Sequence, residues 1–320
     1  MPGTCGGTLL ARSRPVAPRI PIPPGTRIGR YEVLGTLGRG GMATVYLARA
    51  PGGAEVALKV VDGAIGGPAR GARFAREVEA AARLGHPGCV RLLDHGATAA
   101  GQPYLVTELL AGPTLREAIG AAGRLPIAEA VEVARALCLA LAHAHAAGVL
   151  HRDVKPENVM YRGPGRAGGV VLIDFGLSRL QDDAPLTAAG TCVGSPSYVA
   201  PERLLQQPAD ERADLYAVGV VLHEMLAGEP PFAGGSPVEI GRRHLLEPPP
   251  PIEGLRPAVP AALSAVIRCA LEKDPAHRFR RAETMAAALE GVPASAADDS
   301  MVVEIPPGWV EVASASDSLS

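Results

Sequence analysis

The chain has 320 residues, 47% of them hydrophobic and 20% charged, with a net charge of −2. A length near 300 suits one large domain or two packed lobes that bury roughly three quarters of the unfolded surface. Near-neutral charge, with no basic stripe interleaved with aromatics, argues against nucleic acid and anionic membranes as partners.

Residues 1–29 are rich in proline and arginine without periodicity and read as a disordered leader. Arginines interrupt "GTLLARSRP", so a signal peptide is not expected. From Arg30 the texture changes. "YEVLGTLGRGGMATVYLARA" alternates apolar and polar residues around a glycine cluster, which predicts two strands joined by a Gly-rich turn. "AEVALKVVD" predicts a third strand, and "ARFAREVEAAARLG" a helix closed by Gly85 and Pro87. "CVRLLDHGA" and "PYLVTELL" supply two more strands. Residues 30–111 are therefore expected to form a mainly antiparallel sheet with one helix.

After Gly112 the pattern turns helical. "PIAEAVEVARALCLALAHAHAAG" predicts a long amphipathic helix stopped by Gly148, and "RADLYAVGVVLHEMLAG" a more apolar one. Residues 261–272 and 281–290 predict two further helices. The fold class is thus α+β and bilobal: a small β-rich lobe over 30–111 and a larger helical lobe over 112–291. Ligands commonly bind in the cleft between such lobes. "EPPPPIEG" reads as a rigid loop between helices, with a polyproline ligand as the alternative. Residues 292–320 are acidic and Ser-rich and are expected to be a flexible tail, in which Trp309 lies in "IPPGWVEV". No run of about 18 uncharged apolar residues occurs, so no membrane span is expected. Cys5, Cys89, Cys138, Cys192 and Cys269 are scattered without zinc spacing, which suits reduced thiols and a cytoplasmic protein.

Several short stretches carry chemistry. Gly38, Gly40 and Gly41 crowd the turn in "LGRGGMATV", where glycine lets the backbone bring its N–H groups close to phosphate oxygens. A strand follows rather than a helix, and no Gly-Lys-Ser/Thr closes the loop, so it is neither a Rossmann turn nor a P-loop. Lys59 ends the apolar strand "VALK", and Glu77 on the following helix is the preferred partner to aim its ammonium; Glu79 points to another helix face. "VVLIDFGLSR" is a buried strand that ends in Asp174, Phe175 and Gly176, and a carboxylate there suits a magnesium ligand. "HRDVKPENVM" adds Asn158 as a second, neutral oxygen and Asp153 as a carboxylate able to accept a hydroxyl proton. Held phosphates, neutralised charge and a positioned nucleophile are the requirements of phosphoryl transfer.

In these motifs the chain resembles the bacterial eukaryotic-like serine/threonine protein kinases over about residues 31–291. The glycine pattern stands as Gly38, Gly40 and Val45, the lysine strand as Val56-Ala57-Leu58-Lys59, and the catalytic loop as "HRDVKPEN". The metal motif is Asp174-Phe175-Gly176, and Ala200-Pro201-Glu202 follows. The resemblance implies ATP and Mg²⁺ as cofactors, with Mn²⁺ the substitute ion, and protein substrates. It implies that Lys59 holds the α/β-phosphates and pairs with Glu77. Asp153 would orient the substrate hydroxyl and act as base, Lys155 would contact the γ-phosphate, and Asn158 and Asp174 would bind metal. Ser195 would bridge Asp153 and Lys155. Leu37, Val45, Ala57 and Met160 would sandwich the adenine, with Arg39 and Gly41 in the phosphate loop. Glu108 and Leu110 would offer backbone groups, and Thr107 would limit the depth of the pocket. Asp214 would anchor the catalytic loop, Arg278 would pair with Glu202, and His145 and His151 would be packing residues.

The departures from the family pattern are small: Ala43 stands at the third glycine, and Ser195 replaces a threonine. Thr187 and Thr191, in "PLTAAGTCVGSPSY", are expected sites of activating autophosphorylation, for which a transient homodimer would serve. The competing readings are a catalytically weak kinase-fold scaffold and a small-molecule kinase. Loss of Lys59, Asp153 or Asp174 would favour the first, and all three are present. Kinases of the second type normally lack the "HRDVKPEN" wording and the Ala-Pro-Glu segment.

Overall fold

The computed structural model describes residues 21–41, 43–61, 75–76, 78–175 and 196–292. A six-stranded antiparallel sheet forms the smaller lobe, in the order β1-β2-β3-β4-β6-β5. Its strands are β1 (Arg27–Ile28), β2 (Tyr31–Arg39), β3 (Ala43–Arg49), β4 (Glu55–Val61), β5 (Leu92–Ala97) and β6 (Pro103–Glu108). Residues 21–29 lie in the stretch read as leader. Here Arg27 and Ile28 pair with β2, and the Ile22 amide donates to the Tyr46 hydroxyl at 3.2 Å. Ile22 packs on the same apolar cluster as Ile28.

The alternation of side chains along a strand divides this sheet. Tyr46, Ala48, Val56, Leu58, Val60 and Val106 are all buried on one face, in a single cluster with Tyr31, Val33 and Tyr104. The residues between them, Val45, Ala57, Lys59 and Thr107, fall on the other face and are only half-buried. Register keeps these four adjacent, since Val45 stands opposite Lys59 and Ala57 opposite Thr107.

The larger lobe is helical. It comprises α1 (Leu115–Ala122), α2 (Ile127–Ala146), α3 (Pro201–Leu204), α4 (Glu211–Ala227), α5 (Pro237–Leu246), α6 (Ile252–Leu255), α7 (Ala261–Ala270) and α8 (Ala282–Glu290). A hairpin of β7 (Val159–Tyr161) and β8 (Val170–Leu172) lies on its upper side. Residues Ala213 to Leu226 of α4 are all buried, so this helix is the axis of the core and is packed all round. Gly219 permits that packing: a Cβ there would stand 2.7 Å from the Cβ of Ala270 on α7. α1 and α5 open with capping boxes, Thr114/Glu117 and Ser236/Glu239, neither of which was foreseen as a helix start. Pro248–Pro251 form the loop between α5 and α6, whereas Ile252, Glu253 and Gly254 of the stretch read as a rigid loop belong to α6.

Glu202 and Arg278 fasten the base of this lobe. The guanidinium donates to both carboxylate oxygens, at 2.9 and 2.8 Å, and its side chain is wholly buried. It also donates to the carbonyls of Glu272 and Lys273 at 2.7 and 2.9 Å, so its donors are satisfied in a fixed fork. Arg278→Ala would leave a buried carboxylate without its counter-charge, and we expect a loss of about 3–5 kcal/mol in unfolding free energy. Arg278→Lys should recover little of it, because a single ammonium cannot reproduce the fork. Denaturant melts of the three proteins check this; a loss under about 1 kcal/mol for Arg278→Ala would contradict it.

Candidate active site

The stretch from His151 to Asn158 gets its shape from a buried carboxylate beneath it. Asp214, in the first turn of α4, accepts the amide of His151 at 2.9 Å and that of Arg152 at 2.7 Å. His145 Nε2, at the end of α2, lies 2.9 Å from the same carboxylate. Burial opposes the charge on Asp214, but the His145 hydrogen bond, the nearby His145 and His151 rings and the Arg152 amide hold its pKa below the ordinary carboxylate value. Arg152 is thereby fixed at φ 65, a left-handed conformation that a residue with a side chain adopts at a cost. The Arg152 carbonyl accepts from Arg203.

His151 is buried and serves packing. Its Nε2 lies 2.7 Å from the carbonyl of Ile173, and its ring meets Phe175 edge-to-face at 4.7 Å between centroids. His145 is likewise an enclosed core residue. Both histidines are enclosed, as packing residues would be, but the expectation of a fully satisfied His145 is not met: its Nδ1 has Glu211 Oε2 at 3.6 Å and no hydrogen-bond partner among the described residues.

Asp153 emerges from this platform with its carboxylate half-exposed. One oxygen accepts from Lys155 Nζ at 2.7 Å and from Asn158 Nδ2 at 2.9 Å. The Asn158 amide also donates to the Asp153 carbonyl at 2.8 Å, so both of its hydrogens are used and its Oδ1 is the group left to face a ligand. Asn158 is buried in the short turn Pro156–Asn158 that leads into β7. Across the hairpin Val159 pairs with Leu172, and the Ile173 amide donates to the Asn158 carbonyl at 2.9 Å. That ladder sets Asp174 beside Asn158. Asp174 has φ 70, and one of its oxygens accepts from Lys59 Nζ at 2.6 Å.

Lys59, Asp153, Lys155, Asn158 and Asp174 are thus gathered at one mouth between the lobes. The described partner of Lys59 is Asp174, while Glu79 is exposed. Glu77, Ser195, Thr187, Thr191 and Gly176 lie outside the described residues, as does Met42 of the glycine turn.

The oxygen set fits a hard divalent cation. Asp174 keeps a second carboxylate oxygen and Asn158 its Oδ1, and magnesium normally takes one or two protein oxygens together with substrate phosphates. Among the described residues there is no cluster of three or more His, Cys, Asp or Glu that would form an all-protein cage.

The glycine turn lies above. A Cβ at Gly38 or Gly41 would meet nothing within 4 Å, so packing among the described residues does not demand glycine at either place. Close approach of a ligand to the backbone would. Ala43 belongs to β3, where its carbonyl accepts the Gly40 amide at 2.9 Å and its Cβ is buried, so a side chain is accommodated at the third glycine position. Leu37, half exposed, and Arg39 end β2; Val45 and Ala57 line the same half-buried face as Thr107, and Met160 lies on β7. Glu108 is held in place: its carboxylate accepts the Arg91 amide and a 3.0 Å contact from Arg162, and its own amide donates to the Arg91 carbonyl. Leu110 follows two residues later, outside the strand.

Residue-by-residue reading of the sequence did not find the cluster around Arg116. This α1 residue reaches Glu157, Tyr198 and Glu224, which lie 41, 82 and 108 residues away in the chain. Only the folded chain brings them together, and no local pattern announces them.

The fold and the site together define a protein kinase, and comparison with known proteins agrees. The chain matches the protein kinase domain over residues 31–288 and belongs to that family. It is 37% identical over 279 residues to a probable serine/threonine-protein kinase, SCO3848, of Streptomyces coelicolor, covering 84% of this chain and 41% of that protein. It is 38% identical to the serine/threonine-protein kinase PknB of Mycobacterium leprae, covering 81% of this chain and 42% of the relative. For Pkn1 of Myxococcus xanthus the identity is 40%, over 86% of this chain and 40% of the relative. The chain therefore spans about two fifths of the length of these relatives.

The lowered pKa of Asp214 fixes the sign of a pH effect. Between the folded value and the ordinary one, about 3.9, the unfolded chain binds more protons, so stability rises with pH there. The contribution of Asp214 is complete above that ordinary value and is lost as pH falls through the folded one. Asp214→Asn should lose about 2–4 kcal/mol at neutral pH, from weakened bonds to two buried amides. It should also lose stability less steeply than wild type below about pH 4. Melts at stepped pH check this; parallel acid profiles would contradict it.

Proposed function

We propose that this chain is an ATP-dependent protein serine/threonine kinase that moves the γ-phosphoryl group of ATP to Ser or Thr hydroxyls of protein substrates. The observation that carries the proposal is the convergence of the Lys59–Asp174 pair and the Asp153–Lys155–Asn158 group on one cleft mouth. A packing role alone would not draw two cations, two carboxylates and an amide to a half-open surface.

Asp153 accepts the proton of the substrate hydroxyl. The hydroxyl oxygen forms a bond to the γ-phosphorus, the bond from that phosphorus to the bridging oxygen breaks, and ADP leaves with the electron pair. Lys155, bonded to Asp153, adds positive charge where the transferring group gains negative charge. Lys59 holds the nucleotide phosphates, with Glu77 as its proposed second partner. Asp174 and Asn158 would hold Mg²⁺ or Mn²⁺, which when bound neutralises phosphate charge. Ser195 would steady Asp153 and Lys155. Leu37, Val45, Ala57, Thr107 and Met160 would enclose the adenine, and backbone groups of Glu108 and Leu110 would meet its edge.

The lysine that follows Asp153 at two residues' distance, and then Pro156, resembles serine/threonine rather than tyrosine kinases, as do the names of the relatives. We place the reaction in the cytoplasm. The described cysteines, Cys89, Cys138 and Cys269, are free thiols, which suits a reducing compartment. No helix among the described residues is long and apolar enough to cross a membrane. Autophosphorylation at Thr187, Thr191 or both is proposed to activate the enzyme, since a phosphothreonine adds roughly −1.5 to −2 charge that arginines can bind.

Incubation with γ-labelled ATP, Mg²⁺ and a generic basic protein tests the proposal. Label should enter Ser or Thr of the protein, and phosphopeptide mapping of the kinase should find Thr187 or Thr191 modified. Asp153→Asn should lower transfer by about 10²–10⁴-fold. Transfer to small alcohols or sugars but not to protein, or an unimpaired Asp153→Asn variant, would overturn it.

A further inference from the structure

Beside the catalytic loop lies a charge cluster that none of the roles above uses. Glu157 sits in the same turn as Asn158, two residues beyond Lys155, and its carboxylate is 47% exposed. Glu224, from α4, is 1% exposed. Tyr198, in the short turn Pro196–Tyr198 just before Ala200-Pro201-Glu202, donates its hydroxyl to Glu224 at 2.6 Å. Two carboxylates and a phenol beside a loop that handles a peptide hydroxyl make a receptor for a guanidinium. That receptor is already filled. Arg116, from α1, donates to Glu157 at 2.8 Å and also to Glu224 and to the Tyr198 oxygen.

The electrostatics favour this occupant. Burial lowers the pKa of Arg116, but its hydrogen bonds to Glu224 and Glu157 outweigh this and raise it above the ordinary value. Burial, and then the charge of Glu224, raise the Tyr198 phenol, which stays a neutral donor. The Arg116 side chain remains 37% exposed, so the filled receptor opens onto the surface, with Glu157 in the same stretch as Asp153.

We propose that Arg116 is a built-in cation that selects substrates. By occupying the Glu157–Glu224–Tyr198 receptor it removes any preference for arginine at the peptide position lying over Glu157. This inference rests on the kinase reading. Glu157 follows Asp153 by four residues, within reach of side chains about one to four residues from the acceptor hydroxyl in an extended peptide, at about 3.3–3.6 Å per residue. Arg116 is a specificity residue and touches no reacting atom.

The test is a set of peptides with one Ser acceptor and a single arginine scanned through about four residues on either side, each compared with its alanine twin. For wild type the arginine-to-alanine ratio of kcat/KM should stay within about threefold at every position. Arg116→Ala and Arg116→Met, the latter keeping the apolar stem, should raise the ratio at least about tenfold at one position, or about 1.4 kcal/mol. Adding Glu157→Gln should bring it back towards one. A merely structural role for Arg116 would lower all rates together and leave the ratios alone. An arginine preference of about tenfold in wild type, or unchanged ratios in both Arg116 variants, would overturn the proposal. Label absent from every peptide with wild type would count against the kinase reading itself.

Discussion

The Asp214 carboxylate is the constraint on which the site depends. It is almost completely enclosed, and a charge in that position persists only because donors surround it: two consecutive backbone amides of the catalytic stretch and the imidazole of His145. Those bonds hold Arg152 in a conformation it would otherwise leave, and this aims Asp153 outward. Without them the chain from His151 to Lys155 would have no reason to turn where it does. The anchor comes from α4, the most enclosed helix of the larger lobe, so the core holds the stretch around Asp153 through the Asp214 side chain, with Arg203 on the Arg152 carbonyl and the packed His151 ring as further ties.

The other half of the site is a consequence of strand periodicity. In β3, β4 and β6 alternate residues fill the outer apolar cluster, and of those between them Val45, Ala57, Lys59 and Thr107 lie half-buried on the other face, while Val61 and Leu105 pack in a small cluster with Val78. Lys59 is carried into the cleft by the same alternation that buries Leu58 and Val60. There it meets Asp174, which the β7–β8 hairpin holds beside Asn158. Two folding units of different kinds, a sheet and a helix-backed hairpin, therefore supply opposite walls, and neither would make the site alone.

Much of this was legible in the sequence because the reacting groups cluster in short runs with fixed internal spacing. "HRDVKPEN" contains the base, its lysine and its amide within six residues, and Asp174 closes an obvious apolar strand. The sheet was legible through its alternation and the two long helices through their apolar spacing. Two kinds of feature were not. β7 has three residues and α1 eight, too few for periodicity to stand out, whereas α5, as long as α7, buries only His244 and so carries no apolar stripe; the capping boxes of α1 and α5 are weak signals on their own. Interactions between distant residues were the other kind. The Glu202–Arg278 pair and the Asp214 anchor came from family resemblance, not from spacing, and the Arg116 cluster had no sequence signal. Ile22 and Ile28 were read with the leader because prolines dominate that stretch, yet Ile28 has an apolar surface to cover and Arg27–Ile28 have a strand edge to join.

The most direct measurement is a crystal structure of the wild-type protein with a non-hydrolysable ATP analogue and Mg²⁺. The triphosphate should lie in the cleft under Gly38–Gly41, with Lys59 in hydrogen-bond reach of its oxygens. Oxygens of Asp174 and Asn158 should coordinate metal at about 2.1 Å. Nucleotide bound elsewhere, or an ion held without either residue, would contradict the assignment of this cleft as the phosphoryl-transfer site.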